Sequence, residues 1–208
     1  MKVTIPEHLG DINLFQYQRY MAMTDKHDLA YKVHIFIDLP LEYCKAIKLF
    51  DLKRLSKQID QSLQFSTEFT HKFTMKDIVF GFIPNLDKIT VAEYIDLQSY
   101  ANGTENLHRL MAILFRPIYK NDGENYAIMP YNGTEEYAQI MLHTPMNIVN
   151  GALVFFYNLT NELQERTHIY LTNELTKDLM PRSTSRFLAG MLRLKRWLKI
   201  TFLKLTRF

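Results

Sequence analysis

Between Ile148 and Tyr157 the chain reads IVNGALVFFY, ten residues without one charged side chain. The stretch follows Thr144-Pro145, which reads as an N-cap and a proline at the first helical position, where its missing N–H costs nothing. A helix that is apolar all round has no face to offer water and belongs in the centre of a fold. The spacing predicts the longest helix of the protein over residues 143–175, with the other elements packed about it. Seven glycines and seven prolines in 208 residues argue against an all-β sandwich and for helices with short connections.

Two stretches enter helices by the same device. In TVAE, Thr90 stands three residues before Glu93, a capping box in which each side chain satisfies the other's backbone N–H. In NLFQ, Asn13 and Gln16 offer the same exchange through amides. Ile12 and Ile89 precede the boxes as hydrophobic staples, and Ile5-Pro6 and Ile83-Pro84 hold the incoming chain extended. Duplication and convergence on good capping chemistry are both open.

The remaining pattern is mostly helical. Helices are predicted at about Leu14 to Ala22, over DLAYKVHIFIDL before Pro40, over LEYCKAI, and over DLKRLSKQIDQSLQF. In the last, Asp51 reads as the cap, and Leu52, Leu55, Ile59 and Leu63 share one face. The period then changes: EFTHKF, MKD and IVFGFIP form a hairpin in which Phe69, His71 and Phe73 alternate with polar neighbours. After the TVAEYIDLQSY helix, Asn102-Gly103 makes a turn, Thr104 caps a helix lined by Leu107, Leu110, Met111 and Leu114, and Arg116-Pro117 ends it. IYKNDGENYAI is a second, smaller hairpin about Asp122-Gly123, and NGTEEYAQIMLH repeats the turn and cap. The fold class expected is mainly α with one or two small β-hairpins, a helical core around a long central helix, and a C-terminal basic amphipathic helix.

No catalytic, cofactor or metal-binding residues are expected. The single cysteine, Cys44, excludes an internal disulfide framework and multi-cysteine metal sites, and reads as a small buried hydrophobe. None of the seven histidines pairs at i, i+4 in a metalloprotease motif. The chain contains no P-loop, dinucleotide glycine fingerprint or nucleophile elbow. Glu135 and Glu136 fall in a helix's first turn, where negative charge suits the dipole. No signal peptide and no run of roughly 18 apolar residues is seen, so a reducing cytoplasm is the expected place of synthesis. The sequons at Asn102, Asn132 and Asn158 then carry no glycosylation.

Charge divides the chain at Pro181. Residues 182–208 hold eight basic side chains and no acidic one, leaving 17 basic against 22 acidic in residues 1–181, a body of −5 and a tail of +8. Segregation of this kind concerns partners rather than fold. A body, 1–181, and a basic segment, 182–208, are the expected divisions. At 100° per residue Phe187, Met191, Leu194, Leu198, Phe202 and Leu205 form an apolar stripe, with cations opposite and at its flanks. The candidate contact residues are Arg186, Arg193, Lys195, Arg196, Trp197, Lys199, Phe202, Lys204 and Arg207. Three partners remain open for them: another protein subunit or the chain's own body, a membrane surface, and nucleic acid bound through its phosphates.

Four segments, FGFIPNLDKITVAEYIDL, LHRLMAILFRPIY, YNGTEEYAQIM and PMNIVNGALVFFYNLTNEL, together resemble proteins of tailed bacteriophages, particularly the crAss-like phages of Bacteroidetes hosts. The N-terminal IPEHLGDINLFQYQRY is similar in style, and the tail from Arg182 onward is not part of the likeness. The resemblance implies a non-enzymatic structural, assembly or cargo role around the portal and tail. Virion proteins and self-association are the expected contacts, with DNA or membrane possible through the basic tail. The virion is the expected location, and the host cytoplasm during assembly. A tail-assembly chaperone lost before maturation and a membrane-active ejection factor are the alternatives.

Overall fold

The computed structural model describes residues 4–25, 27–64, 68–84, 89–101, 103–123 and 125–158. Helices α1 (Leu14–Met21), α2 (Leu29–Ile37), α3 (Leu41–Ala46) and α4 (Leu49–Ser62) come first, then strands β1 (Lys72–Met75) and β2 (Ile78–Phe82). Helices α5 (Val91–Tyr100) and α6 (Leu107–Leu114), strands β3 (Phe115–Asp122) and β4 (Asn125–Ile128), and helix α7 (Glu135–Met141) follow. A further helix, α8, occupies residues 146–158. The fold is mainly α with one small antiparallel sheet, in the order β1-β2-β3-β4.

Both capping boxes close as the sequence predicts. Gln16 N–H donates to Asn13 Oδ1 at 2.9 Å and Asn13 N–H to Gln16 Oε1 at 3.0 Å. Glu93 N–H donates to Thr90 Oγ1 at 3.2 Å and Thr90 N–H to Glu93 Oε2 at 2.5 Å. Each box also ties its helix to a distant element. Gln16 Nε2 donates to the carbonyls of Ile35 and Phe36, both at 3.3 Å, at the end of α2. Glu93 reaches Arg116 of β3 at 2.7 Å.

Several expected caps form differently. Helix α4 begins at Leu49, after Lys48, so Asp51 sits inside the first turn, where its charge favours the dipole without capping. Thr104 opens a 3-10 turn, Thr104–Asn106, behind Gly103 at φ 120°, and α6 starts at Leu107. Thr134 precedes α7 with no side-chain cap, its hydroxyl accepting from Arg109 at 3.3 Å.

Thr144 differs most. Its hydroxyl points to Met141 Sδ at 3.4 Å, while its carbonyl accepts from Leu14 N–H at 2.9 Å and the Leu142 carbonyl from Phe15 N–H at 2.8 Å. In return Met146 N–H donates to Ile12 O at 2.8 Å. The starts of α1 and α8 thus exchange backbone hydrogen bonds that satisfy orphan N–H groups, and the Thr144 hydroxyl is left to Met141 rather than to a cap. Pro145 lies one residue ahead of the helix and bridges Asn13.

The two expected hairpins are present, and β2 and β3 join them into one sheet. The first turns through Lys76-Asp77, at φ 49° and 64°, with Met75 opposite Ile78. Its regular pairing starts at Lys72, so Phe69 and His71 fall short of the strand, and His71 is exposed. Phe80 pairs with Pro117 and Phe82 with Phe115. Helix α6 stops at Leu114 and the chain passes directly into β3, because the residue before Pro117 is driven to extended backbone. The sheet's inner face is aromatic: Phe73 lies 5.0 Å from Phe115, and Phe82 lies 5.2 Å from Phe115 and 5.3 Å from Phe155. Phe69 stacks on Phe155 at 4.2 Å.

As far as it is described, helix α8 turns a broad apolar face inward, with Ile148, Val154, Phe155 and Tyr157 half-buried. Met146, Val149, Ala152, Leu153 and Phe156 are buried, as are the neighbouring Gly151 and Asn150. Gly151 is required here, since a Cβ at that position would lie 2.1 Å from the Glu68 carbonyl oxygen. The expected continuation of α8 to residue 175, the boundary at Pro181 and the turn residue Asn102 lie outside the described residues.

Candidate functional site

The nine contact residues read from the sequence, Arg186 through Arg207, all lie outside the described residues. Within the described body the buried Lys32 ammonium ties α2 to α4 through Ser56 and Asp60, and two larger gatherings of polar groups stand apart from it.

The first is an ionic cluster where α5, α6, β3 and the start of α7 meet. Arg116 Nη2 lies 2.7 Å from Glu93 Oε1, with side chains 10% and 3% exposed. The guanidinium also sits 5.8 Å from the centre of the Tyr131 ring, and its Nε has no hydrogen-bond partner. Burial pulls the Arg116 pKa down, opposed by the attraction of Glu93. Tyr131 donates its O–H to the Asp96 carboxylate. Burial first, and then this bond and the Asp96 charge, push its hydroxyl well above the ordinary phenolic range.

Nearer the surface, Arg109 Nη1 contacts Glu135 Oε1 at 2.6 Å and the Tyr100 hydroxyl at 3.4 Å, with its guanidinium 5.3 Å from the Tyr100 ring centre. Glu93, Asp96 and Glu135 each already hold a cation or an O–H donor. The chemistry of this arrangement is that of a latch: it fastens the segment around 131–135 to α5, α6 and β3.

The second is a polar groove between residues 7–10 and α4. One part, of about 450 Å³, has Glu7 on one side and Arg54, Lys57 and Gln61 on the other. The adjoining part, of about 320 Å³, reaches Asn147, whose Oδ1 is buried without a hydrogen-bond partner. Asp11 closes the 7–10 turn by accepting from the Glu7 and His8 N–H groups at 2.9 and 3.2 Å. Those bonds, that of Glu7 foremost, hold its carboxyl below the usual range.

No protein-family model matches the chain, and no curated protein or solved structure matches it.

Cys44 is fully buried on α3, and burial raises its thiol pKa. Among the described residues no group of three or more His, Cys, Asp or Glu side chains could hold a metal ion, and no helix is long and apolar enough to cross a membrane. His34 Nδ1 is 2.6 Å from the Leu39 carbonyl, and His108 Nδ1 is 3.1 Å from Gln18 Nε2.

Sequence reasoning missed the second role of Glu93, which no linear signal carries, since Arg116 lies beyond a whole helix. It also read α4 only by its buried face. The opposite face was legible at 100° per residue: Leu49 and Phe50, then Lys53 and Arg54, then Lys57, all exposed.

Proposed function

We propose that the protein is a non-enzymatic component of a tailed-phage particle, located at or carried within the portal and tail region. In this reading residues 1–181 form an acidic body, and residues 182–208 form a basic amphipathic helix that engages a neighbouring subunit, the DNA path or a membrane. The observation that carries it is the charge division: eight cations without a carboxylate after Pro181, against a body of −5. Such a chain keeps its body soluble at high copy number while one end seeks a partner of opposite charge or an apolar groove. The likeness of residues 80–163 to crAss-like phage proteins supports the setting. In the body, the buried Arg116–Glu93 pair and the Tyr131–Asp96 bond bind elements to one another, a use of polar groups suited to a structural part.

Mass spectrometry of purified particles, with copies counted per genome and compared with infected-cell lysate, tests the proposal. Stoichiometric presence in the particle is expected. Abundance in the lysate with none in the particle overturns it in favour of an assembly chaperone.

A further inference from the structure

We propose that the corner between α3 and α4 is a docking surface for an anionic lipid bilayer. Tyr43 on α3 and Leu49 and Phe50 at the start of α4 stand 62%, 62% and 77% exposed. Only Ile47 and Lys48 separate the two helices, so the three exposed side chains all lie within one turn or so of the α3–α4 junction. Large apolar groups exposed together on an otherwise polar surface mark an interaction site.

Charge selects the occupant. Residues 41–57 hold five basic side chains (Lys45, Lys48, Lys53, Arg54 and Lys57) against Glu42 and Asp51, and Asp51 lies 3.4 Å from Arg54. Arg54 is beside Asp51 and, with Lys57, lines the groove opposite Glu7, which leaves Lys45, Lys48 and Lys53 against Glu42 about the corner, a local +2 on a body of −5. A second copy would bring lysines against lysines, and the chain's own basic segment would be repelled in the same way. An anionic surface is the complement.

The order of groups along α4 distinguishes a bilayer from a polyanion such as duplex DNA. Leu49 and Phe50 form the tip, with exposed Lys48 immediately before them and Lys53 and Arg54 one turn behind, about 5 Å along the axis, so cations flank an apolar tip on both sides. Duplex DNA offers phosphates to the lysines but no apolar layer to receive Tyr43, Leu49 and Phe50. A bilayer takes the apolar tip at the acyl boundary and meets the cations in a headgroup layer of about 5–7 Å on each side. Lysine stems can extend outward from such a tip while their ammonium groups stay hydrated. With no helix among the described residues able to span, the contact is a surface one, reinforced by each lysine near anionic lipid.

Flotation of the full chain with vesicles of phosphatidylcholine mixed with phosphatidylglycerol, against phosphatidylcholine alone, tests this. Binding to the mixed vesicles only is expected. The pair L49N/F50N should weaken it at least about tenfold, and K45Q/K48Q/K53Q by about fivefold per lysine at low salt. Both variants change only exposed side chains and should unfold at the same urea concentration as the parent. Failure of the parent chain to float overturns the proposal, and so does undiminished flotation of L49N/F50N, which would assign the binding to another part of the chain. Capture of duplex DNA in place of vesicles, lost in the same variants, also overturns it. Vesicle binding and presence in the particle are read separately, so neither result decides the other.

Discussion

Replacing Glu93 with alanine removes two bonds from a side chain that is 3% exposed: the 2.7 Å contact with Arg116 and the 2.5 Å acceptance of Thr90 N–H. Stripping one partner from a buried ion pair costs about 3–5 kcal/mol, because the other charge stays in low dielectric. Loss of the reciprocal cap adds about 1 kcal/mol. Arg116→Met should cost less, since Glu93 keeps the Thr90 N–H and the positive end of α5, whereas Arg116 alone keeps only the Tyr131 ring among its described contacts. The double variant E93A/R116M, free of any stranded charge, should fall at least about 1–2 kcal/mol short of the sum of the singles. Urea unfolding followed by circular dichroism, with the slope m checked for constancy, gives all three numbers. An E93A cost below about 1 kcal/mol, or additive singles, would refute the latch.

Gly151→Ala is decided by sign. On an exposed helix the change would stabilise by about 1 kcal/mol, but here the new methyl would meet the Glu68 carbonyl oxygen at 2.1 Å, a backbone atom. Overpacking at about 1–3 kcal/mol or more should prevail and lower Tm by several degrees; a rise in Tm in a thermal melt would show that segment 68–69 does not press on α8. A pH effect should come from His108, whose pKa lies below its ordinary value, first through burial and then through Arg109. The unfolded chain takes up this proton near pH 6.5 and the folded one only lower, so stability is whole above about pH 6.5 and is lost as pH falls toward the folded value. Gln18 Nε2 also faces His108 Nδ1 at 3.1 Å, an orientation that suits an unprotonated ring nitrogen. Urea midpoints between pH 7.5 and 5 should decline less steeply in H108Q than in the parent, and identical slopes would remove His108 from the account.

What could be read without coordinates closes within a few residues of chain. The Thr90–Glu93 and Asn13–Gln16 boxes span three residues each, and their geometry follows from residue type alone. The buried face of α4, with Leu52, Ile59 and Leu63, is a matter of helical period, and the hairpin at Lys76-Asp77 of local strand pattern. The apolar run after Thr144 pointed to a buried helix, and Val149, Ala152, Leu153 and Phe156 are buried while Ile148, Val154, Phe155 and Tyr157 are half-buried.

Tertiary structure decided the rest, because the partners are far apart in sequence and compete with local alternatives. Thr144 has the chemistry of a cap, yet the arrival of α1 supplies Ile12 O to Met146 and takes Thr144 O for Leu14, so backbone groups displaced the side chain. Two hairpins became one sheet because Phe80 and Phe82 found Pro117 and Phe115 across an intervening pair of helices. Glu93 is a helix cap in the sequence and half of a buried ion pair in the fold, since only packing brings Arg116 to it. Local hydrogen-bond geometry depends on residue type and spacing, whereas non-local pairing depends on which apolar surfaces meet when distant elements pack together.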